Sequence, residues 1–171
     1  MPSRSASIRF TLLALASYSA EGINIPAETR FDSGEMNYDE GIGYTQIDVV
    51  ESDERTLAAG ANEDIDLVGV LTDGIGVQSP AKIVLIAIIN YSTTQTLQAS
   101  KAASNGWAGF ASGTTDTFPV DPAYNASRPG MLIKHSPRGV AVTAGTGDKI
   151  NIANPSGATA TYRIIVLGRS A

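Results

Sequence analysis

An all-β fold is what this sequence predicts: an antiparallel β-sandwich or jelly-roll-like domain over residues 44–171, preceded over 1–43 by an N-terminal strand and an extended arm. Three observations carry the prediction. From Tyr44 onward, roughly eight short runs of β-prone residues recur at intervals of about 10 residues, the rhythm of a sandwich. The runs are broken by turn residues, and the chain of 171 residues holds 17 glycines and 8 prolines. No segment shows the 3.6-residue apolar period of an amphipathic helix, and no repeat of fixed period is present.

Along the front part, Arg4 and Arg9 accompany the apolar stretch 10–16, a pattern shared with secretory signals. Ile8, Phe10, Leu12 and Ala14 alternate with Ser7, Arg9, Thr11 and Leu13, which favours a first β-strand. Residues 21–43 carry Pro26, Gly22, Gly34, Gly41 and Gly43 with scattered acids and no sustained period. Two readings stand level here: an arm lying on a neighbouring subunit, or a loop packed on its own domain.

The rear part reads as strands in order. Residues 44–50 form a candidate strand, 51–54 a polar break, and 55–57 a resumption. Residues 58–62 turn the chain. Ile65 and Leu67 then alternate with Asp64 and Asp66, the pattern of a half-buried strand with one wet face. Asp73-Gly74 marks another turn. The run Lys82–Asn90 is apolar and β-branched almost throughout, so it predicts a strand buried on both faces, covered outside by a further sheet or a neighbouring subunit. Residues 93–97 are strand-like, and 99–121 form a long Gly/Ser/Ala/Thr segment holding Trp107, Phe110 and Phe118. A short strand over 131–134, the pair Val140 and Val142, the pair Ile150 and Ile152, and a long strand over 158–167 complete the list. Gly145-Thr146-Gly147 and Asn154-Pro155-Ser156-Gly157 are the turns between them.

Composition narrows the function. Charged residues make up 17% of the chain and hydrophobic ones 43%, against about 25% charged in ordinary soluble domains. Neutral surface of this kind suits the centres of protein–protein contacts. A net charge of −5 without a Lys/Arg cluster argues against nucleic acid as a partner. No apolar stretch reaches the 20 or so residues of a membrane-crossing helix. With no cysteine, disulfides, thiolate metal sites and a cysteine nucleophile are all excluded.

No motif for catalysis stands out. His135, the one histidine, lies beside Ser136, but sequence neighbours on a strand face opposite ways, so adjacency does not make a triad. Asp64 and Asp66 share a strand face and could approach a hard cation, yet the spacing of a calcium loop is missing, and a wet sheet face is the favoured reading. Gly145-Thr146-Gly147-Asp148-Lys149 shares only composition with a phosphate loop and is expected to be a hairpin turn. The expectation is a non-enzymatic protein without cofactor or metal. Trp107 and Phe110 serve loop packing first, a protein interface second and sugar stacking third. With Phe10, Leu12, Phe31 and Tyr38 they make up the candidate interface residues.

Two blocks carry a family likeness. The first runs from Arg55-Thr56-Leu57-Ala58-Ala59-Gly60 through Glu63-Asp64-Ile65-Asp66-Leu67 and Leu71-Thr72-Asp73-Gly74 into the 82–90 run. The second spans Val140 to Ile150 and ends with Ala160-Thr161-Tyr162-Arg163-Ile164-Ile165-Val166-Leu167-Gly168. Over residues 50–170 the chain resembles head structural proteins of tailed bacteriophages, in particular capsid decoration, or cement, proteins. The resemblance implies a β-sandwich on the outside of an icosahedral capsid. Its partners would be the major capsid protein and copies of itself, as a homotrimer or homodimer. The chain would be made in the host cytoplasm and carried on the virion surface. The segments 1–43 and 99–121 depart from the pattern. A head–tail connector or tail protein is the nearest other reading, and a secreted carbohydrate-binding β-sandwich is the third.

Overall fold

The computed structural model describes residues 6–9, 11–20, 23–69, 71, 79–110, 113 and 115–171. Their regular structure is β throughout: β1 (Ala6–Ile8), β2 (Thr11–Ala20), β3 (Ile23–Asp32), β4 (Met36–Glu40), β5 (Gln46–Ile47), β6 (Val49–Leu57), β7 (Asn62–Asp66), β8 (Lys82–Asn90), β9 (Leu97–Lys101), β10 (Thr117–Val120), β11 (Gly130–Ala141), β12 (Lys149–Ala153) and β13 (Ala160–Arg169). Two four-stranded antiparallel sheets, ordered β11-β8-β13-β6 and β10-β9-β12-β7, face each other as the expected sandwich. Each connection from β11 to β12 and from β12 to β13 crosses between the sheets. The Gly145–Gly147 turn is closed by an antiparallel Thr143–Gly147 bridge, as expected of a hairpin turn, but the strands it joins, β11 and β12, lie in different sheets.

Between the sheets lies the main core. Ile83, Ile86 and Ile88 of β8 and Tyr162, Ile164 and Val166 of β13 meet Leu97, Ile150 and Ile152 from the facing sheet, all essentially sealed from solvent. Burying one such side chain contributes about 2 kcal/mol, and the alternation along β12 and β13 places each on the inner face. The continuous apolar run of β8 has its reason in a bulge. β13 pairs Leu167 with Leu85 and Gly168 with Ile83, which leaves Val84 as an extra residue. Val84 and Leu85 then both point outward, where Ala87 joins them in a second apolar cluster. At this bulge the strands come so close that a Cβ on Gly168 would lie 2.6 Å from the Lys82 carbonyl oxygen.

The cover over that outer cluster comes from the chain's own N-terminal part. β1, β4 and β5 make a small sheet in which β1 and β4 are antiparallel and β4 and β5 parallel. Ile8, Tyr38 and Ile47 pack from it against Val84, Leu85, Ala87 and Leu167. β2 and β3 pair only with each other in the sheet order, from Thr11 opposite Asp32 to Ala20 opposite Ile23. Their register is offset by one residue from that of β1 and β4, so residues 33–35 hold a bulge between the two ladders. Gly34 sits in this bulge at φ 69°, a conformation that other residues enter only under strain. The described residues between 6 and 40 thus form two ladders, β1–β4 and β2–β3, where an aperiodic arm was expected over 21–43. Pro26 is tolerated because every strand of a two-stranded ribbon has an open side.

Three other boundaries differ from expectation. Residues 51–54 do not break the strand: β6 runs through them, paired to β13 along its length. β9 begins at Leu97, so 93–96 are irregular, and the long 99–121 segment contains the end of β9 and all of β10. β11 extends to Ala141, well beyond 134, with a bulge between His135 and Val140 that accommodates Pro137 and Gly139. The Asp73-Gly74 turn lies outside the described residues.

Candidate functional site

The predicted interface residues fall into two groups. Phe10 lies outside the described residues, and Leu12 and Phe31 occupy opposed backbone positions on the β2–β3 ladder. Tyr38, Trp107 and Phe110 are core side chains, with exposures of 4%, 1% and 8%. For Trp107 and Phe110 this agrees with loop packing, the first of the readings given above; for Tyr38 it replaces a contact surface with the core, because an apolar ring with partners inside its own chain gains by burial there. The Trp107 indole donates from Nε1 to the Ala141 carbonyl at 2.8 Å, and its backbone N–H donates to the Lys149 carbonyl at 2.7 Å. Phe110 meets it edge-on at 6.4 Å, and Phe118 continues the stack at 5.7 Å from Phe110. Those three rings close one end of the sandwich beneath their own loop.

Tyr38 joins the small sheet to β11. Its hydroxyl lies 3.0 Å from His135 Nε2, with the rings perpendicular at 6.3 Å. Burial raises the Tyr38 phenol above its ordinary range and lowers the His135 imidazole below 6.5. The folded state therefore prefers neutral His135. Above pH 6.5 both folded and unfolded chains hold it neutral, and its stabilising effect is complete. Below that value the unfolded chain takes up a proton that the folded chain resists, so stability declines until the lowered folded pKa is passed. Urea midpoints measured on either side of pH 6.5 are expected to show this decline in the wild type and not in His135→Gln. A wild-type profile as flat as the variant's would contradict it.

The acidic strand β7 divides its carboxylates between two faces. Asp64 accepts from Asn151 Nδ2 at 2.7 Å, and Asp66 accepts from the Val68 N–H at 2.9 Å, both on the outer, wetter side. Glu63 turns inward and bridges the sheets. It accepts from the Tyr162 hydroxyl at 2.7 Å and from Arg55 Nη1 at 2.7 Å, while Asp53 receives Arg55 Nε at 2.9 Å. Burial works against the Arg55 charge, but the hydrogen bond and charge of Glu63, with Asp53 behind it, outweigh this and raise its pKa. Tyr162 is pushed far up, first by burial and then by Glu63. No described group of three or more carboxylates and histidines is arranged to hold a metal ion.

The turn over 143–149 uses its polar groups internally. The Asp148 carboxylate accepts from the Gly145 N–H, the Gly147 N–H donates to the Thr143 carbonyl, and the Asp148 and Lys149 N–H groups share the Asn105 carbonyl. Asn90 is likewise taken up: its amide donates to the carbonyls of Gln95, Val120 and Asp121. On the outer face of the second sheet a shallow depression of about 350 Å³ is lined by Asn62, Asp64, Ser100, Lys101 and Asn151.

What the sequence reading missed is on the outer face of the first sheet. Met131 and Ile133 of β11 are 58% and 40% exposed, opposite Ile89 and Ala87 of β8. β11 ends its sheet, so among the described residues one side of its backbone has no ladder partner. Alternation of Met131 and Ile133 with Leu132 and Lys134 was the available signal, since it puts two apolar residues on the face opposite the core. The arrangement can bind by sheet edge and apolar face. No family model matches the chain, and no curated protein matches it.

Proposed function

We propose that this chain is a structural protein of a tailed-bacteriophage virion that binds the outside of the icosahedral capsid and stabilises contacts between capsid subunits, as a decoration or cement protein. One observation carries the reading: the paired strands β1–β4 are joined to a sandwich whose end strand β11 has, among the described residues, an open edge and the exposed apolar side chains Met131 and Ile133. Ribbons and open edges are the means by which β proteins add to one another. The low charge of the chain leaves neutral surface for such contacts. The likeness of the 55–90 and 140–168 blocks to phage head proteins supplies the partner class, the major capsid protein together with further copies of the chain.

In this role no catalysis, cofactor or nucleic acid is involved. A protein that binds only the assembled shell shifts the equilibrium toward it, and symmetric repetition adds avidity without strong single contacts. Quantitative staining of purified virions is expected to find the chain in a constant ratio to the major capsid protein, with copies on every facet. A single small ring of copies would favour the connector or tail reading. Absence from the particle would overturn the proposal.

A further inference from the structure

We infer that Asn105 is a site of self-modification: the Gly106 backbone nitrogen attacks the Asn105 side-chain amide and converts this position to aspartyl and isoaspartyl forms. Water is the only co-reactant. The nitrogen bonds to Cγ, its proton and the side-chain NH2 depart together as ammonia, and a five-membered succinimide closes. Water then opens the ring at either carbonyl. Cleavage of the new bond leaves an aspartyl residue. Cleavage of the original peptide bond leaves an isoaspartyl residue, whose main chain is one methylene longer.

Among the asparagines of the chain, Asn105 alone is followed by glycine. The fold ties up the others that lie in the sandwich. Asn90 and Asn154 each donate to three carbonyls, and Asn151 donates to Asp64. The nitrogen that follows Asn90 is engaged too, since the Tyr91 N–H donates to the Thr161 carbonyl, and Pro155 after Asn154 has no N–H at all. Asn105 is exposed, and among the described residues nothing bonds to its side-chain amide or to the Gly106 N–H.

The local geometry favours the attack. The Asn105 carbonyl oxygen accepts from the Asp148 and Lys149 N–H groups, both at 2.9 Å. That oxygen shares a peptide group with the Gly106 nitrogen. When the nitrogen gives up its proton, negative charge spreads to the oxygen, where two fixed donors already point at it. Packing also keeps the nucleophile unhindered: a Cβ on Gly106 would collide with the Ala102 carbonyl oxygen, so only glycine fits. Asn105 itself sits at φ 54°, a left-handed conformation that asparagine enters more readily than most residues.

The two products differ in consequence. An aspartyl residue adds one negative charge on an exposed side chain. An isoaspartyl residue puts an extra methylene into a segment pinned at both ends, by the two donors on the Asn105 carbonyl and by the Trp107 N–H on the Lys149 carbonyl at 2.7 Å. The lengthened chain displaces Trp107 from its 1% exposed seat and loosens this end of the sandwich.

The test incubates the wild-type chain in warm, mildly alkaline heavy-oxygen water, once folded and once in guanidinium chloride. Peptide mapping by mass spectrometry follows the oxygen label, and isoaspartyl methylation follows the longer product. Label is expected at Asn105 in the folded chain at a rate equal to or above that of the unfolded chain, with Asn90, Asn151 and Asn154 unlabelled in the folded one. A folded chain that reacts more slowly at Asn105 than the unfolded chain overturns the inference, because the fold would then protect the site. Anion exchange separates the modified forms by their added charge. Trp107 is the only tryptophan, so its emission reports this end directly. The isoaspartyl form is expected to emit at longer wavelength, and freshly purified Asn105→Asp to match the wild type. Equal emission from all three overturns the link to Trp107.

Discussion

Trp107→Ala is expected to remove about 3–5 kcal/mol of folding stability, the range for a large buried aromatic cut back to a methyl group. The indole is 1% exposed, and its neighbours cannot readily collapse on the space because they belong to three separate segments: the Ala141 carbonyl on β11, the Lys149 carbonyl on β12 and the Phe110–Phe118 stack. Trp107→Phe keeps most of the ring but leaves the Ala141 carbonyl without its indole donor, and should cost about 1–2 kcal/mol more than a neutral repacking. Urea unfolding followed by circular dichroism reads both. Losses below about 1 kcal/mol for the alanine variant would place the ring outside the core.

The second large effect is expected at Glu63. Glu63→Ala strands the Tyr162 hydroxyl, deep in the sandwich, and leaves Arg55 with Asp53 alone. Orphaning a buried donor and breaking a half-buried ion pair together cost about 2–3 kcal/mol. Tyr162→Phe removes the donor as well as the need for an acceptor, so the double variant should lose clearly less than the two single variants summed. Strict additivity would show that the three groups do not act as a unit. The same network sets an alkaline limit. Burial and Glu63 raise the Tyr162 phenol above its ordinary 10.0, so its contribution is complete below pH 10.0 and is lost as the unfolded chain ionises above it.

Much of the sandwich was legible in the sequence, and particular residues show why. The 82–90 run announced a strand apolar on both sides, and β12 and β13 announced themselves by alternation. The failures came where a local signal meant something else in three dimensions. The acids at 51, 53 and 54 read as a break, yet β6 is an edge strand whose backbone pairs with β13 regardless, and Arg55 stands ready to neutralise Asp53 and Glu63. The strand expected over 131–134 runs on to Ala141, because Pro137 and Gly139 sit in a bulge beyond which β11 resumes its pairing. The aperiodic look of 21–43 hid two strands, because their pairing partners lie upstream, as far as Ala6 for Tyr38, and the pairing is carried by backbone groups that every residue except proline possesses in full.

By itself the sequence determined that this chain would fold as stacked sheets, since β-branched runs at short intervals, many turn residues and no helical period leave little else for the backbone to do. It determined, too, that the surface would be mildly acidic and poor in charge. Which apolar residues would be spent on the chain's own interior was decided only by the tertiary structure. Tyr38 looks like a docking residue on paper and is core in fact, while Met131 and Ile133, read only as part of a short strand, stand exposed. Alternation assigns a side chain to a face of its strand; what covers that face depends on strand order, and strand order is a long-range property fixed when distant segments pair.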